Sequence, residues 1–281
     1  MKRKLTIVLG VMLGMAGVFY GGAKLAIRHE RLALYDAARD RSVPVDLYIR
    51  RDKEMKAMAG METLRVAILN HGNTVGSQEY SFIANLMAAR GFLVASIQHD
   101  LPTDAPLSMA GYPYVGRLPV YQRGVQNILY VIDELKKREP NADYDRLTMV
   151  GHSNGGDISV YFAGEHPELI TRVVTFDNLR VPLTQVKAKV LSFRSFGGNF
   201  KPDPGVVPDD EDCEKAGISV VKTNFDHTQM SDRGPDELKE QFGNILEGFL
   251  EGKDVSAFAM NKKLNEKQVA DMMARYFPVN P

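Results

Sequence analysis

The sequence predicts an α/β protein with a mostly parallel sheet covered by helices on both faces. Three observations carry that expectation. Short apolar runs recur at residues 64–69, 92–97, 147–150, 170–176, 190–193 and 218–222, as expected of strands buried on both sides. Between several of them lie longer stretches with apolar residues at helical spacing, and strand alternating with helix builds a parallel sheet. No repeat, low-complexity linker or composition break divides the chain, so residues 31–281 are expected to form one domain.

Taken in order, the chain opens with Lys2, Arg3 and Lys4, followed by an apolar stretch at 5–23 in which only Thr6 is polar. A basic cluster before an apolar run is the pattern of an export signal. Residues 1–30 are therefore read as a signal peptide or an N-terminal membrane anchor. Gly21 and Ala23 offer small residues for cleavage, and 19 residues (5–23) just suffice to span a bilayer. The expected destination is the periplasm or the exterior, or the inner membrane if the segment is kept. Residues 43–49 then alternate as a half-buried strand. A helix is expected at 78–90, ended by Gly91, with Phe82, Ile83, Leu86 and Met87 on one face. Three prolines and two glycines make 100–116 a loop before a long helix at 118–138, on which Ile128, Val131, Ile132 and Leu135 share a side. Further helices are expected from Asn154 to before His166 and over 235–250, with a Gly/Pro/Asp-rich loop at 196–212 and an amphipathic tail helix at 262–277.

Composition narrows the function. Lys plus Arg equal Asp plus Glu at 35 each, so the basic excess of a nucleic-acid binder is missing. One cysteine, Cys213, permits no intrachain disulfide and no cysteine-rich zinc site. The six histidines show no metal-binding spacing and no G-x-G-x-x-G follows a strand. No metal and no cofactor are expected.

The chemistry is expected at strand ends. Gly151-His152-Ser153-Asn154-Gly155-Gly156 matches G-x-S-x-G just after a strand and at the start of a helix, the setting in which a serine is lifted above a sheet as a nucleophile. Such a serine needs a base, and on this scaffold the order along the chain is Ser, acid, His. His29, His71 and His99 precede Ser153, His152 should point away from the serine, and His166 sits at a helix end. That leaves His227. For the acid, Asp177 directly follows a buried strand, whereas Asp203 lies between two prolines in a loop. An acid that orients an imidazole should be buried, which favours Asp177 and keeps Asp203 as the alternative. The backbone N–H groups of Asn154 and of Asn73, in the loop 71–74, are the expected oxyanion donors. Met109, Tyr112 and Tyr114 are expected to wall the substrate pocket, and no residue marks a charge dedicated to a substrate head group.

These stretches resemble the α/β-hydrolase fold, and within it the platelet-activating-factor acetylhydrolase-like and dienelactone-hydrolase-like serine esterases. The resemblance covers most of 35–250 and rests on 39–48 (RDRSVPVDLY), 70–73 (NHGN), 91–99 (GFLVASIQH), 151–156 (GHSNGG), 176–183 (FDNLRVPL) and 227–230 (HTQM). It implies an acid in the stretch 177–183, with 177 − 153 = 24 residues from serine to acid and 227 − 177 = 50 from acid to histidine, and so supports Asp177. Residues 177–190 leave no room for a large cap domain. The expected activity is cleavage of a small-molecule or lipid-like carboxylic ester through an acyl-enzyme. A peptidase of the same fold, or an exported binding protein without activity, are the alternatives. The membrane is a partner only through the N-terminal segment.

Overall fold

The structure, a computed structural model, describes residues 26–108, 113–196, 200–253 and 255. Eight strands form one sheet: β1 (Ile27–Asp36), β2 (Arg41–Arg50), β3 (Leu64–Asn70), β4 (Phe92–Ile97), β5 (Ala142–His152), β6 (Ile170–Phe176), β7 (Lys189–Arg194) and β8 (Ile218–Lys222). Their order is β1-β2-β4-β3-β5-β6-β7-β8. From β4 to β8 every neighbouring pair is parallel, while β2 is antiparallel to both β1 and β4. Among the described residues six α-helices accompany the sheet: α1 (Arg51–Met58), α2 (Ser81–Ala89), α3 (Pro113–Arg138), α4 (Asn154–Glu165), α5 (Asp210–Ala216) and α6 (Asp236–Leu250).

Alternation along each strand feeds two apolar layers. Val66 and Ile68 face one, with Tyr121, Ile128 and Leu135 of α3 and Ile158 and Phe162 of α4. Ala67 and Leu69 face the other, with Ile83 and Met87 of α2 and Phe242, Ile245 and Leu246 of α6. Within the second layer Phe242 stacks on Phe193 and Phe176, ring centres 4.3 and 5.4 Å away. Phe176 closes β6 immediately before Asp177, and Phe193 lies one residue short of the end of β7.

Several elements depart from the sequence reading. β1 was not expected, and its first four residues, 27–30, belong to the sheet rather than to the N-terminal segment. The rest of that segment, 1–25, lies outside the described residues, as do 262–277 of the expected tail helix. Among the described residues no helix is long and apolar enough to cross a membrane. α1 buries only Ala57 and leaves Met55 and Met58 exposed, and so shows no apolar stripe. α3 starts five residues before its expected position and runs through Pro119. The carbonyl that proline leaves without an intrahelical donor belongs to Val115, which is exposed to water. α5 starts within the expected 196–212 loop and runs past its end to Ala216; Asp209 caps it by accepting the N–H of Asp212, and Gly217 ends it with φ 67°.

Parallel pairing gathers the ends of β3 to β8 at one edge. Asn70 pairs with Ile97 and Gly151, and Phe176 with His152 and Phe193. Residues just past these ends therefore share one rim. Phe242→Ala should cost about 3–5 kcal/mol and lower the thermal midpoint by about 10 °C. Thermal unfolding followed by circular dichroism checks this, and an unchanged midpoint would show that the stack does not anchor the rim.

Candidate active site

Ser153 lies between β5 and α4 with φ 52° and ψ −119°, backbone angles that residues with a Cβ avoid. The flanking glycines make the turn possible. A Cβ at Gly155 would overlap the carbonyl oxygens of Asn70 and His71, and one at Gly151 the carbonyl of Gly155. The Ser153 N–H is tied to Phe176 O at 2.8 Å, and the Asp177 N–H to Phe193 O at 2.8 Å. Among the described residues four non-glycines have positive φ, namely Asp40, Thr74, Ser153 and Asp177. Three of these belong to the site, so backbone strain is concentrated where the polar groups meet.

The structure brings Ser153, His227 and Asp177 together. His227 opens a short 3₁₀ turn, 227–229, after β8. Its Nε2 is 2.9 Å from Ser153 Oγ, and its Nδ1 is 2.7 Å from Asp177 Oδ2. A carboxylate only accepts, so the proton sits on Nδ1 and Nε2 is left to accept from the serine hydroxyl. Asp177 is 2% exposed. Burial works to raise its carboxyl, but the His227 hydrogen bond, the charge of Arg194 and the Ser195 hydroxyl hold it below the usual carboxylate range. Asp203 is elsewhere, 2.5 Å from Arg180 Nη1. Asp226 takes up the Gln229 side chain on its own N–H and caps the 3₁₀ turn.

His152 does point away from the serine hydroxyl, but into a contact the sequence did not reveal. Its Nε2 donates to the His227 carbonyl at 3.0 Å, and its Nδ1 accepts from Tyr80 O–H at 2.8 Å. Tyr80 in turn accepts the Gly72 N–H at 2.9 Å. Burial, aided by nearby His227, pushes His152 down to about 3, so it is neutral. The loop that follows β3 is also fixed by His71, whose Nε2 accepts the His99 N–H at 2.8 Å. No acceptor among the described residues takes the N–H of Asn73 or Asn154. Both are thus left free to donate, Asn73 from the cleft wall and Asn154 from the N-terminus of α4.

A cleft of about 220 Å³ opens over Ser153. Val75, Leu107, Leu179 and Phe200 supply apolar walls, and Phe200 stacks on the His227 ring with centres 4.2 Å apart. Met109 and Tyr112 of the expected pocket lie outside the described residues. Tyr114 is not in the cleft wall; it sits in the first turn of α3, 6.0 Å from the Tyr121 ring. The expectation of no dedicated charge is also corrected. Arg117, Arg180 and Arg233 line the cleft, and no carboxylate among the described residues does. Arg180 pairs with Asp203 and Arg233 with Glu79. These arginines come from three distant segments, so no spacing in the sequence could join them. Among the described residues, no group of three His, Cys, Asp or Glu side chains stands where one ion could be held.

One further carboxylate supports the site from below. Asp157, in the first turn of α4, is fully buried, and its Oδ1 accepts the N–H groups of Leu179, Arg180 and Val181 at 2.8–3.1 Å. It therefore pins the loop that follows Asp177. Burial pushes this carboxyl up to about 6, against the pull of those N–H groups and of Arg117. A group raised in the folded state stabilises fully below its unfolded value, and that contribution is lost as pH rises through the folded one. Between pH 4 and pH 7 the wild type should therefore lose about 2–3 kcal/mol more stability than Asp157→Asn. Urea unfolding of both proteins at several pH values measures the difference, and parallel curves would contradict it.

No known protein-family profile matches the chain, and no curated protein sequence matches it. Solved structures do match. One is described as a dienelactone hydrolase-like promiscuous phosphotriesterase from metagenomic libraries. It aligns over 70% of this chain and 82% of its own, with a TM-score of 0.51 and 15% identity. With its mostly parallel eight-stranded sheet and that likeness, the chain has the α/β-hydrolase fold.

Proposed function

We propose that the protein is a serine hydrolase of carboxylic esters, with Ser153 as nucleophile, His227 as general base and Asp177 as orienting acid. The observation that carries this reading is the unbroken chain from Ser153 Oγ through His227 to the buried Asp177, with steps of 2.9 and 2.7 Å. Ser153 Oγ forms a bond to the ester carbonyl carbon as its proton passes to His227 Nε2. The N–H groups of Asn73 and Asn154 hold the oxyanion that results. Collapse breaks the bond to the alcohol oxygen, which takes the proton from His227. Water then attacks the acyl-enzyme, gives its proton to His227, and releases the acid and the free serine. These steps need no cofactor.

The cleft supports a reading of the substrate class. Apolar walls at Val75, Leu107, Leu179 and Phe200 suit an acyl or alkyl group, as in a small-molecule or lipid-like ester. The guanidinium groups of Arg117, Arg180 and Arg233 favour an ester that also carries a negative group. The basic and apolar N-terminus supports export to the periplasm or beyond, or anchoring at the inner membrane.

A fluorophosphonate probe should label the wild type and fail to label Ser153→Ala. On p-nitrophenyl esters Asp177→Asn should lower kcat by about 10⁴, whereas Asp203→Asn should stay within about tenfold of wild type. Labelling that survives Ser153→Ala, or a larger loss at Asp203 than at Asp177, would overturn these assignments. Cleavage of a peptide panel with no ester turnover would point instead to a peptidase.

A further inference from the structure

The acid that orients His227 does not serve His227 alone. Arg194 closes β7 and is 6% exposed. Its Nη2 lies 3.0 Å from Asp177 Oδ1 as an ion pair, while its Nη1 donates to Asn178 Oδ1 at 3.1 Å and reaches Ser192 Oγ at 3.4 Å. The other oxygen, Asp177 Oδ2, takes His227 Nδ1 at 2.7 Å and Ser195 O–H at 2.6 Å. A guanidinium and an imidazole thus draw on one buried carboxylate. The guanidinium is charged at every working pH. The imidazolium exists only once His227 has taken a proton.

That arrangement has a direction. In the resting state Arg194 offsets the charge of Asp177, so the carboxylate is not buried unpaired. When His227 gains a proton, from Ser153 or from solvent, the group ends with two positive charges around one negative charge. A fixed cation close to a base opposes its protonation. We propose that Arg194 is a positioning residue that shares Asp177 with His227 and thereby opposes uptake of a proton from solvent by the imidazole, leaving it able to accept the serine proton. This rests on the serine-hydrolase reading above for its kinetic consequence but not for the charge effect itself.

The other charged and titratable groups around His227 are constant across the comparison. His152 packs against its ring at 4.9 Å and is neutral. Arg117, Arg180 and Arg233 stand across the cleft, and the last two keep Asp203 and Glu79 as partners. Substituting Arg194 therefore changes the charge beside Asp177 and leaves these groups as they are.

The test is the pH dependence of kcat/KM for wild type, Arg194→Met, Arg194→Gln and the charge-keeping Arg194→Lys. The acid limb should move up by roughly one pH unit in the two neutral variants and stay in place in Arg194→Lys. Neutral variants whose acid limb coincides with wild type, whatever their kcat, would show that Arg194 only fills space, and would overturn the proposal. NMR titration of the His227 imidazole reads the same shift without turnover, so a protein that cleaves no ester still gives an answer. If neither neutral variant folds, Asp177→Asn and the double variant Asp177→Asn/Arg194→Gln, which leaves no unpaired buried carboxylate, provide the second measurement. The His227 midpoint should lie higher in the double variant than in Asp177→Asn by roughly one pH unit, since only Arg194 differs between them. Coincident midpoints would overturn the proposal.

Discussion

The backbone of Ser153 is the constraint on which the site depends. Its angles, φ 52° and ψ −119°, cost about 1–3 kcal/mol if left to themselves. They persist because β5 is fixed on both sides: Asn70 of β3 and Phe176 of β6 pair with Gly151 and His152. α4, which starts at the next residue, packs its glycine directly over the β3 end. Strand, turn and helix therefore form one rigid piece, and the serine hydroxyl has nowhere to point but the rim. Local strain is here carried by long-range pairing, which is why the turn cannot be understood from its six residues alone.

Polar groups beneath that rim are matched with care to their burial. Asp177 is surrounded by donors, so its charge survives out of water. Asp157, by contrast, has one oxygen saturated with three N–H groups and the other with no partner among the described residues. Two carboxylates within the same few turns thus have opposite tendencies, one held ionised and one pushed towards its neutral form. The difference comes from their partners rather than from depth, since both are buried.

How much of this could be read from the sequence depended on whether a feature repeats locally. Strands buried on both faces, such as 92–97 and 170–176, announce themselves as apolar runs and matched the structure. Ser153, His227 and Asp177 were found from motif, order and a strand end, and the structure sets them within hydrogen-bonding distance. β1 was hidden because only Leu32, Leu34 and Asp36 of its ten residues are buried, and charged residues interrupt the alternation. α1 lacks an apolar stripe, and Gly116 and Pro119 disguise the start of α3. Arg194, Asp157 and the three cleft arginines were illegible for a different reason. Arg194 and Asp157 acquire meaning through partners 17 or more residues away, and the three arginines only by meeting at one cleft; no local pattern encodes either.

The line Gly72, Tyr80, His152, His227 carries a consequence of its own. Every link in it has a defined polarity: the amide gives to the phenol, the phenol to the imidazole, the imidazole to the carbonyl. Reversing any one member would leave two donors or two acceptors facing each other in a dry interior. The segment after β3 and the segment after β8 are therefore coupled mechanically, by a route that runs behind the cleft rather than across it. A displacement on one bank is transmitted to the other before anything bridges the gap between them.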